Sequence, residues 1–189
     1  MCEKYVAYVQ NHFGDNSISI FDGYGSETST KITEQDRRAS KDVAADILFE
    51  PDWKLTAKKS SFLNNRNNKD RFIKLLVTKL RANSTDAIQC IADADRAIVH
   101  TALTTATDTN CDVVVVGNDT DILVMLGALA QNDMKLHILM SMDPLQLYSI
   151  SEVQSQFAEV LPYLIFAHAI TGCDTVSCIY HSFSIKRCN

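Results

Sequence analysis

The sequence lacks the long apolar run of a membrane-spanning helix, and it lacks a secretory signal. No stretch approaches the roughly 18 consecutive apolar residues that a transmembrane helix needs. The opening residues, Met1–Tyr5, carry no signal-peptide pattern. The six cysteines form no Cys-x-x-Cys pair and have no spacing typical of a disulfide framework. These absences predict an intracellular protein with reduced thiols and no membrane partner, and the nucleus is one candidate location.

Several well-known catalytic motifs are also missing. The sequence contains no Gly-x-Ser-x-Gly nucleophile elbow, no Walker A loop and no Gly-x-Gly-x-x-Gly dinucleotide-binding loop. It has no internal repeat and no low-complexity tract. A hydrophobic content of 46% is sufficient for a core, so the 189 residues predict one globular domain over 1–189.

Charge is unevenly distributed along the chain. The net charge of −5 by itself argues against a nucleic-acid partner. However, residues 54–81 contain nine Lys or Arg and one acid, whereas residues 108–174 contain nine acids and one base. A basic segment facing an acidic cluster suits an anionic polymer held over a metal site. A solvated basic helix and an ordinary acidic surface are the alternative explanation, and composition does not decide between them.

The residues from Asp112 to Leu123 give the strongest indication of a functional site. Its four consecutive valines, Val113–Val116, are typical of a central parallel strand that is buried on both faces. Asp119 and Asp121 follow directly, where open α/β sheets form their sites. Because neighbouring carboxylates repel each other, a bound divalent cation explains the pair better than capping alone.

The remaining sequence alternates between helical and extended patterns, which predicts an α/β fold with a mainly parallel central sheet between two helical layers. The basic, asparagine-rich residues 54–68 predict a loop. Helices are expected over 3–13, 35–49, 69–80, 93 or 95 to 107, 120–130, 149 or 151 to 160 and 161–170, and further strands over 17–21, 87–91 and 135–140.

Six aspartates fall just after a predicted strand or at a helix boundary. Right-handed crossovers would bring these positions to one edge of the sheet. Carboxylates without His or Cys partners favour Mg²⁺ or Mn²⁺ over zinc. Two such ions, about 3.5–4 Å apart, would activate a water and neutralise the leaving oxygen of a phosphodiester. The predicted catalytic and metal-binding residues are Asp22, Asp93, Asp95, Asp119, Asp121 and Asp174.

Structural explanations stay open for individual acids. Asp22 and Asp174, taken alone, are ordinary turn residues. Residues two apart on a helix do not share a face, so either Asp93 or Asp95 could serve only as a cap. Zinc is disfavoured because its potential ligands have no familiar spacing; they are His168, Cys173, Cys178 and His181.

These motifs together resemble the flap-endonuclease-type nucleases of the PIN-like superfamily, over residues 18–175. Closer still is the resemblance to uncharacterised animal proteins with a PIN-like domain, often associated with mobile elements. That closer resemblance rests on Phe21–Gly25, Ser29–Lys31 and His168–Thr175. The nuclease motifs are Phe21-Asp22-Gly23 with Lys31, Arg37 and Arg38, Asp93-Ala94-Asp95, Asn118–Asp121 and Gly172-Cys173-Asp174.

The resemblance implies a PIN-like, Rossmann-related fold and a structure-specific nuclease activity. It implies that all six aspartates bind two Mg²⁺ or Mn²⁺ ions. It further implies that Lys31, Arg37 and Arg38 bind the substrate phosphate and that residues 51–82 form a basic, arch-like insert. The partner would be nucleic acid, with DNA favoured over RNA; the oligomeric state is not indicated.

The sequence departs from the family pattern in three places. The strand that carries the family's first metal aspartate is not found before residue 3, so the chain is expected to be truncated at its N-terminus. Asp93 stands where Glu is usual, and no helix-hairpin-helix follows Asp174, which suggests truncation at the C-terminus as well. A fragment of this kind could be inactive.

Two other functions remain as alternatives. A strand followed by Asp-x-Asp also opens the haloacid-dehalogenase-type phosphatases, in which Asp119 would be a nucleophile. Against this, the motif normally lies near the N-terminus and the expected downstream lysine is not evident. The second alternative is a non-catalytic nucleic-acid-binding or protein-binding module that retains the fold with an incomplete site.

Overall fold

The computed structural model describes residues 1–23, 43–50, 53–91 and 94–171. It divides the chain into two compact units, Met1–Ala94 and Asp95–Asn189. Both contain helices and strands, so the predicted α/β composition is confirmed. Five predicted site residues lie outside the described residues: Lys31, Arg37, Arg38, Asp93 and Asp174.

The first unit contains a parallel pair of strands flanked by helices. Its predicted first helix and strand are confirmed as α1 and β1, and Gly14 ends α1 with a φ of +73°. Strands β1 and β2 pair from Ile18 opposite Asp86 to Phe21 opposite Gln89. The elements are α1 (Cys2–Phe13), β1 (Ile18–Phe21), α2 (Lys59–Asn64), α3 (Arg66–Ala82) and β2 (Asp86–Gln89).

The apolar face of α3 forms much of the core of the first unit. Its helical spacing places Phe72, Leu76 and Leu80 together, and all three are buried against α1 and β2. Phe62 of α2 is fully buried beside Phe49. Much of the basic segment is therefore helical and contributes to a packed core, in contrast to the loop predicted for residues 54–68.

The predicted helix 35–49 is not found in its described part, residues 43–49. Residues 43–49 have no regular secondary structure. Their backbone is bound instead by asparagine side chains of α3: Asn68 donates to the carbonyl of Ala45 (2.8 Å) and accepts from the amide of Ile47 (2.7 Å). These hydrogen bonds replace the intrahelical ones, so the segment lies along α3 without forming a helix.

The second unit contains a three-stranded sheet in the order β3-β4-β5. Strands β3 and β4 are parallel, with Val113 opposite Leu136, and β4 and β5 are antiparallel. The hairpin strand β5 was not predicted. The elements are α4 (Asp95–Thr109), β3 (Val113–Val116), α5 (Thr120–Leu129), β4 (Leu136–Met142), β5 (Leu145–Ser149), α6 (Ile150–Gln156), a 3₁₀ turn (Leu161–Tyr163) and α7 (Leu164–Thr171).

Strand β3 forms as predicted but is not buried on both faces. Val115 packs in the core with Leu126 and Ile138, whereas Val114 and Val116 are each 49% exposed. Among the described strands β3 also pairs on one side only. A run of valines is compatible with a half-buried strand as well as with a fully buried one. This explains why burial of both faces of β3 was wrongly predicted.

The described strands form two separate sheets, so one continuous, mainly parallel sheet between two helical layers stays a prediction. In the part of the chain that the structure describes, no helix is both long enough and apolar enough to cross a membrane.

Candidate functional site

Two predicted acids lie where β3 passes into α5. Asp119 is the N-cap of α5, and its Oδ1 accepts a hydrogen bond from the backbone N–H of Asp121 (2.9 Å). Asp121 occupies the first helical turn, where the positive end of the helix dipole favours a carboxylate. The sequence places both acids here because Gly117 and Asn118 end the strand and aspartate is a preferred N-cap. Capping thus accounts for one oxygen of Asp119.

Asp121 is bound by a histidine that is distant in sequence. His168 Nε2 lies 2.9 Å from Asp121 Oδ1, and the two side chains are 24% and 25% exposed, respectively. His168 belongs to α7, which packs against α5. His168 was interpreted only as a disfavoured zinc ligand, and its contact with Asp121 was not predicted. The only available signal was its position in the string His168–Thr175.

Asp22 lies at the carboxyl end of β1, as predicted. Its Oδ1 accepts a hydrogen bond from the backbone N–H of Ala94 (3.0 Å). Ala94 is the residue between the two acids of the predicted Asp93-Ala94-Asp95 motif. The hydrogen bond therefore joins the end of β1 to the backbone that follows β2.

Gly23 makes this close approach of the two strand ends sterically feasible. A Cβ at Gly23 would overlap the carbonyl oxygen of Cys90 and the backbone of Ile91. The Cys90 amide also donates to the carbonyl of Phe21 (2.9 Å), which extends the pairing of β1 and β2 by one residue. A side chain at position 23 would force the ends apart and displace Asp22.

Asp95 is the first residue of α4, at the helix boundary where it was expected. Among the described residues, no group of three or more His, Cys, Asp or Glu side chains is arranged to hold a metal ion. The largest described part of the predicted site is therefore the pair Asp119 and Asp121.

The donor chemistry of this pair suits a hard divalent cation. Asp119 Oδ1 is bound to an amide and Asp121 Oδ1 to His168, while the second oxygen of each carboxylate has no hydrogen bond to a described residue. Mg²⁺ is commonly held by one or two carboxylates together with waters and substrate phosphates. The two remaining oxygens fit that pattern.

The basic segment has fewer uncommitted charges than its composition suggests. Arg71 forms an ion pair with Asp46, and Lys74 forms one with Asp70 (2.7 Å). Arg81 donates to the carbonyl of Ala87 (2.9 Å). Several bases in residues 54–81 therefore serve the fold of the first unit, which favours the structural explanation for those residues.

Comparison of the chain with protein-family models, curated proteins and solved structures finds no match.

Proposed function

We propose that this chain is a metal-dependent nuclease domain of the PIN-like, flap-endonuclease-like superfamily. Its substrate would be a phosphodiester of nucleic acid, with DNA favoured over RNA. The proposed ligands are the acids of the predicted site, with Lys31, Arg37 and Arg38 as bases that bind the substrate phosphate. The proposal includes the finer fold of that superfamily, in which a mainly parallel central sheet lies between two helical layers.

One observation carries the proposal: Asp119 and Asp121 follow a strand of a parallel pair and retain oxygens for a cation. Asp22 occupies the corresponding position after β1, which belongs to another parallel pair. Carboxyl ends of parallel strands are where α/β proteins bind ligands. The same topological position for acids after two different strands supports a functional role over isolated turns.

When bound, Mg²⁺ or Mn²⁺ would lower the pKa of a coordinated water and stabilise the negative charge of the scissile phosphate. The chain's own contribution is to orient the acids. The cap hydrogen bond fixes the side chain of Asp119, and the contact with His168 fixes that of Asp121. Fixed carboxylates require less reorganisation when the cation and substrate bind.

The decisive experiment measures cleavage of 5′-flapped and single-stranded DNA by the full chain with Mn²⁺, with Asp119→Asn as the test variant. Asparagine is an equally good N-cap, so this change removes the charged ligand and retains the helix start. We expect at least ~100-fold loss of cleavage, since even outer partners of a metal ligand cost 10–100-fold. Asp112→Asn, an exposed acid before β3, is the matched control and should cleave normally.

Other results would identify the alternatives. Equal cleavage by wild type and Asp119→Asn would exclude Asp119 from the site. A phosphoenzyme trapped on Asp119 would indicate a phosphatase of the haloacid-dehalogenase type. Salt-sensitive DNA binding without turnover would indicate a non-catalytic module, because phosphate contacts alone produce that dependence.

A further inference from the structure

We propose that His168 is a positioning residue that holds Asp121 in the orientation required to bind the metal ion. The proposal rests on the proposed nuclease function and adds a residue to its site. The contact joins the last described helix to the first turn of α5, across 47 positions of sequence.

The chemistry of the contact fixes the direction of the hydrogen bond. An ionised carboxylate has no proton to give, so Nε2 of His168 must donate and Oδ1 of Asp121 must accept. The bond holds the carboxylate by one oxygen. The second oxygen of Asp121 is then presented in one direction and is not free to rotate.

The packing of α7 explains why His168 reaches this position. Leu164, near the start of α7, lies close to Gly127 of α5: a Cβ added at Gly127 would be 3.7 Å from Leu164 Cδ2. Leu164 and His168 are one turn apart on α7, so they share a face. Leu164 lies beside Gly127, and His168 lies beside Asp121. Because residue numbers rise along α7 while they fall along α5, the two helices are antiparallel. This antiparallel packing brings the imidazole of His168 to the start of α5.

The environment of the pair favours a role in binding over a purely structural one. Both side chains are about one-quarter exposed, so solvent and small ions can reach them. In metal sites, a partner that orients a ligand typically contributes 10–100-fold to metal affinity.

The test compares two substitutions of His168 in the full chain, with Mn²⁺ as the probe. His168→Gln retains an N–H donor near the position of Nε2, whereas His168→Phe retains a planar ring and removes the donor. Mn²⁺ affinity is measured by electron paramagnetic resonance, and the thermal midpoint is measured by circular dichroism on the same samples. His100→Gln, an exposed histidine on α4, is the control.

We expect His168→Phe to weaken Mn²⁺ binding 10–100-fold with little change in the thermal midpoint, and His168→Gln to restore most of the affinity. Wild-type affinity in His168→Phe would overturn the positioning role and leave the nuclease proposal standing. Equal losses of affinity in both variants, together with a lowered midpoint, would show that His168 only anchors α7. Failure of the wild type to bind Mn²⁺ would overturn both proposals.

Discussion

Asn68 determines the course of a neighbouring segment through a single buried amide. Its side chain is fully buried, and it both donates to Ala45 and accepts from Ile47, as a paired strand would. Asn65 repeats the arrangement one turn earlier by donating to the carbonyl of Ala44 (3.0 Å). Backbone groups of residues 44–47, which have no regular secondary structure, are thus hydrogen-bonded by side chains of α3.

Replacing Asn68 with alanine should therefore be destabilising. The change removes both hydrogen bonds, which are partly buried because Ala45 is exposed and Ile47 is half-buried, at about 0.5–1.5 kcal/mol each. We expect a loss of roughly 1–3 kcal/mol in the free energy of unfolding. Trp53, the only tryptophan, packs on Phe49 and Phe62 in the same unit, so its fluorescence reports the transition.

Asn67→Ala provides the matched control for this measurement. Asn67 is exposed, and it donates to the carboxylate of Asp46 at the surface. Its replacement should change stability by less than ~0.5 kcal/mol. Similar losses for the two asparagines would show that the buried amide is not what holds residues 44–47.

The ion pair at Asp46 predicts a defined pH dependence. The guanidinium of Arg71, and secondly the amide of Asn67, lower the pKa of Asp46 below its usual value of 3.8. The folded state therefore prefers the ionised carboxylate, and this stabilisation is fully present above about pH 4. It is lost as the pH falls through the lowered pKa of the folded state.

Denaturant unfolding of wild type and Asp46→Asn across about pH 2 to 7 measures this effect, because that range spans the titration of a carboxylate. The stability difference should be constant at neutral pH and should shrink below about pH 4. In an Arg71→Gln background the pH dependence should largely disappear. A difference that first changes above about pH 6 would assign the effect to another group, such as a histidine.

At the scale of single elements, hydrophobic periodicity predicted helices and strands well. The spacing of Phe72, Leu76 and Leu80 correctly indicated α3, and the alternation of Ile18 and Ile20 indicated β1. The errors arose where side chains replaced regular pairing, as at Asn68, or where the missing information was the partner of a strand, as for β3. Such partners are set by residues far away in sequence, which local patterns do not contain.

The two strand ends that carry predicted acids differ in how tightly they are packed. A Cβ at Gly23, after β1, would overlap backbone atoms of Cys90 and Ile91, whereas a Cβ at Gly117, after β3, would meet only the Ile122 side chain at 3.7 Å. Backbone overlap cannot be relieved by a rotamer change. The two glycines therefore form a matched pair for substitution.

We expect Gly23→Ala to destabilise the first unit by about 1–3 kcal/mol, as overpacking does, and Gly117→Ala to be close to neutral. The displaced strand end should also break the hydrogen bond from the Ala94 amide to Asp22. Hydrogen exchange at Ala94 tests this directly, because the freed amide should lose protection. Unchanged protection in Gly23→Ala would show that the loop after β2 absorbs the overlap.

For the whole molecule, the sequence predicted where Asp119 and Asp121 lie along the fold but not how their side chains are held. Asp119 and Asp121 could be singled out because acids directly after a valine strand are unusual and costly without compensation. Capping of α5 by Asp119 was the less favoured of the two explanations that the sequence offered, and the structure shows it. The contact of Asp121 with His168 could not be predicted, because it depends on how α7 packs on α5.

The net negative charge of the chain affects how its thermal stability responds to added salt. A chain of net charge −5 is stabilised somewhat by any salt that screens its repulsion, so a specific cation site must be distinguished from screening. A cation that binds only the folded state adds about 2.7 kcal/mol at 100 times its Kd. In a unit of about 95 residues, each kcal/mol of added stability raises the thermal midpoint by roughly 4–8 °C.

We therefore expect Mn²⁺ to raise the midpoint measured by circular dichroism well above the value in KCl of equal ionic strength. The doubly substituted Asp119→Asn, Asp121→Asn chain should respond to the two salts equally, because asparagine retains the cap and removes both charges. An equal response of the wild type to Mn²⁺ and KCl would mean that the acids after β3 serve only to cap α5, and that the metal-dependent function proposed for this chain has no site there.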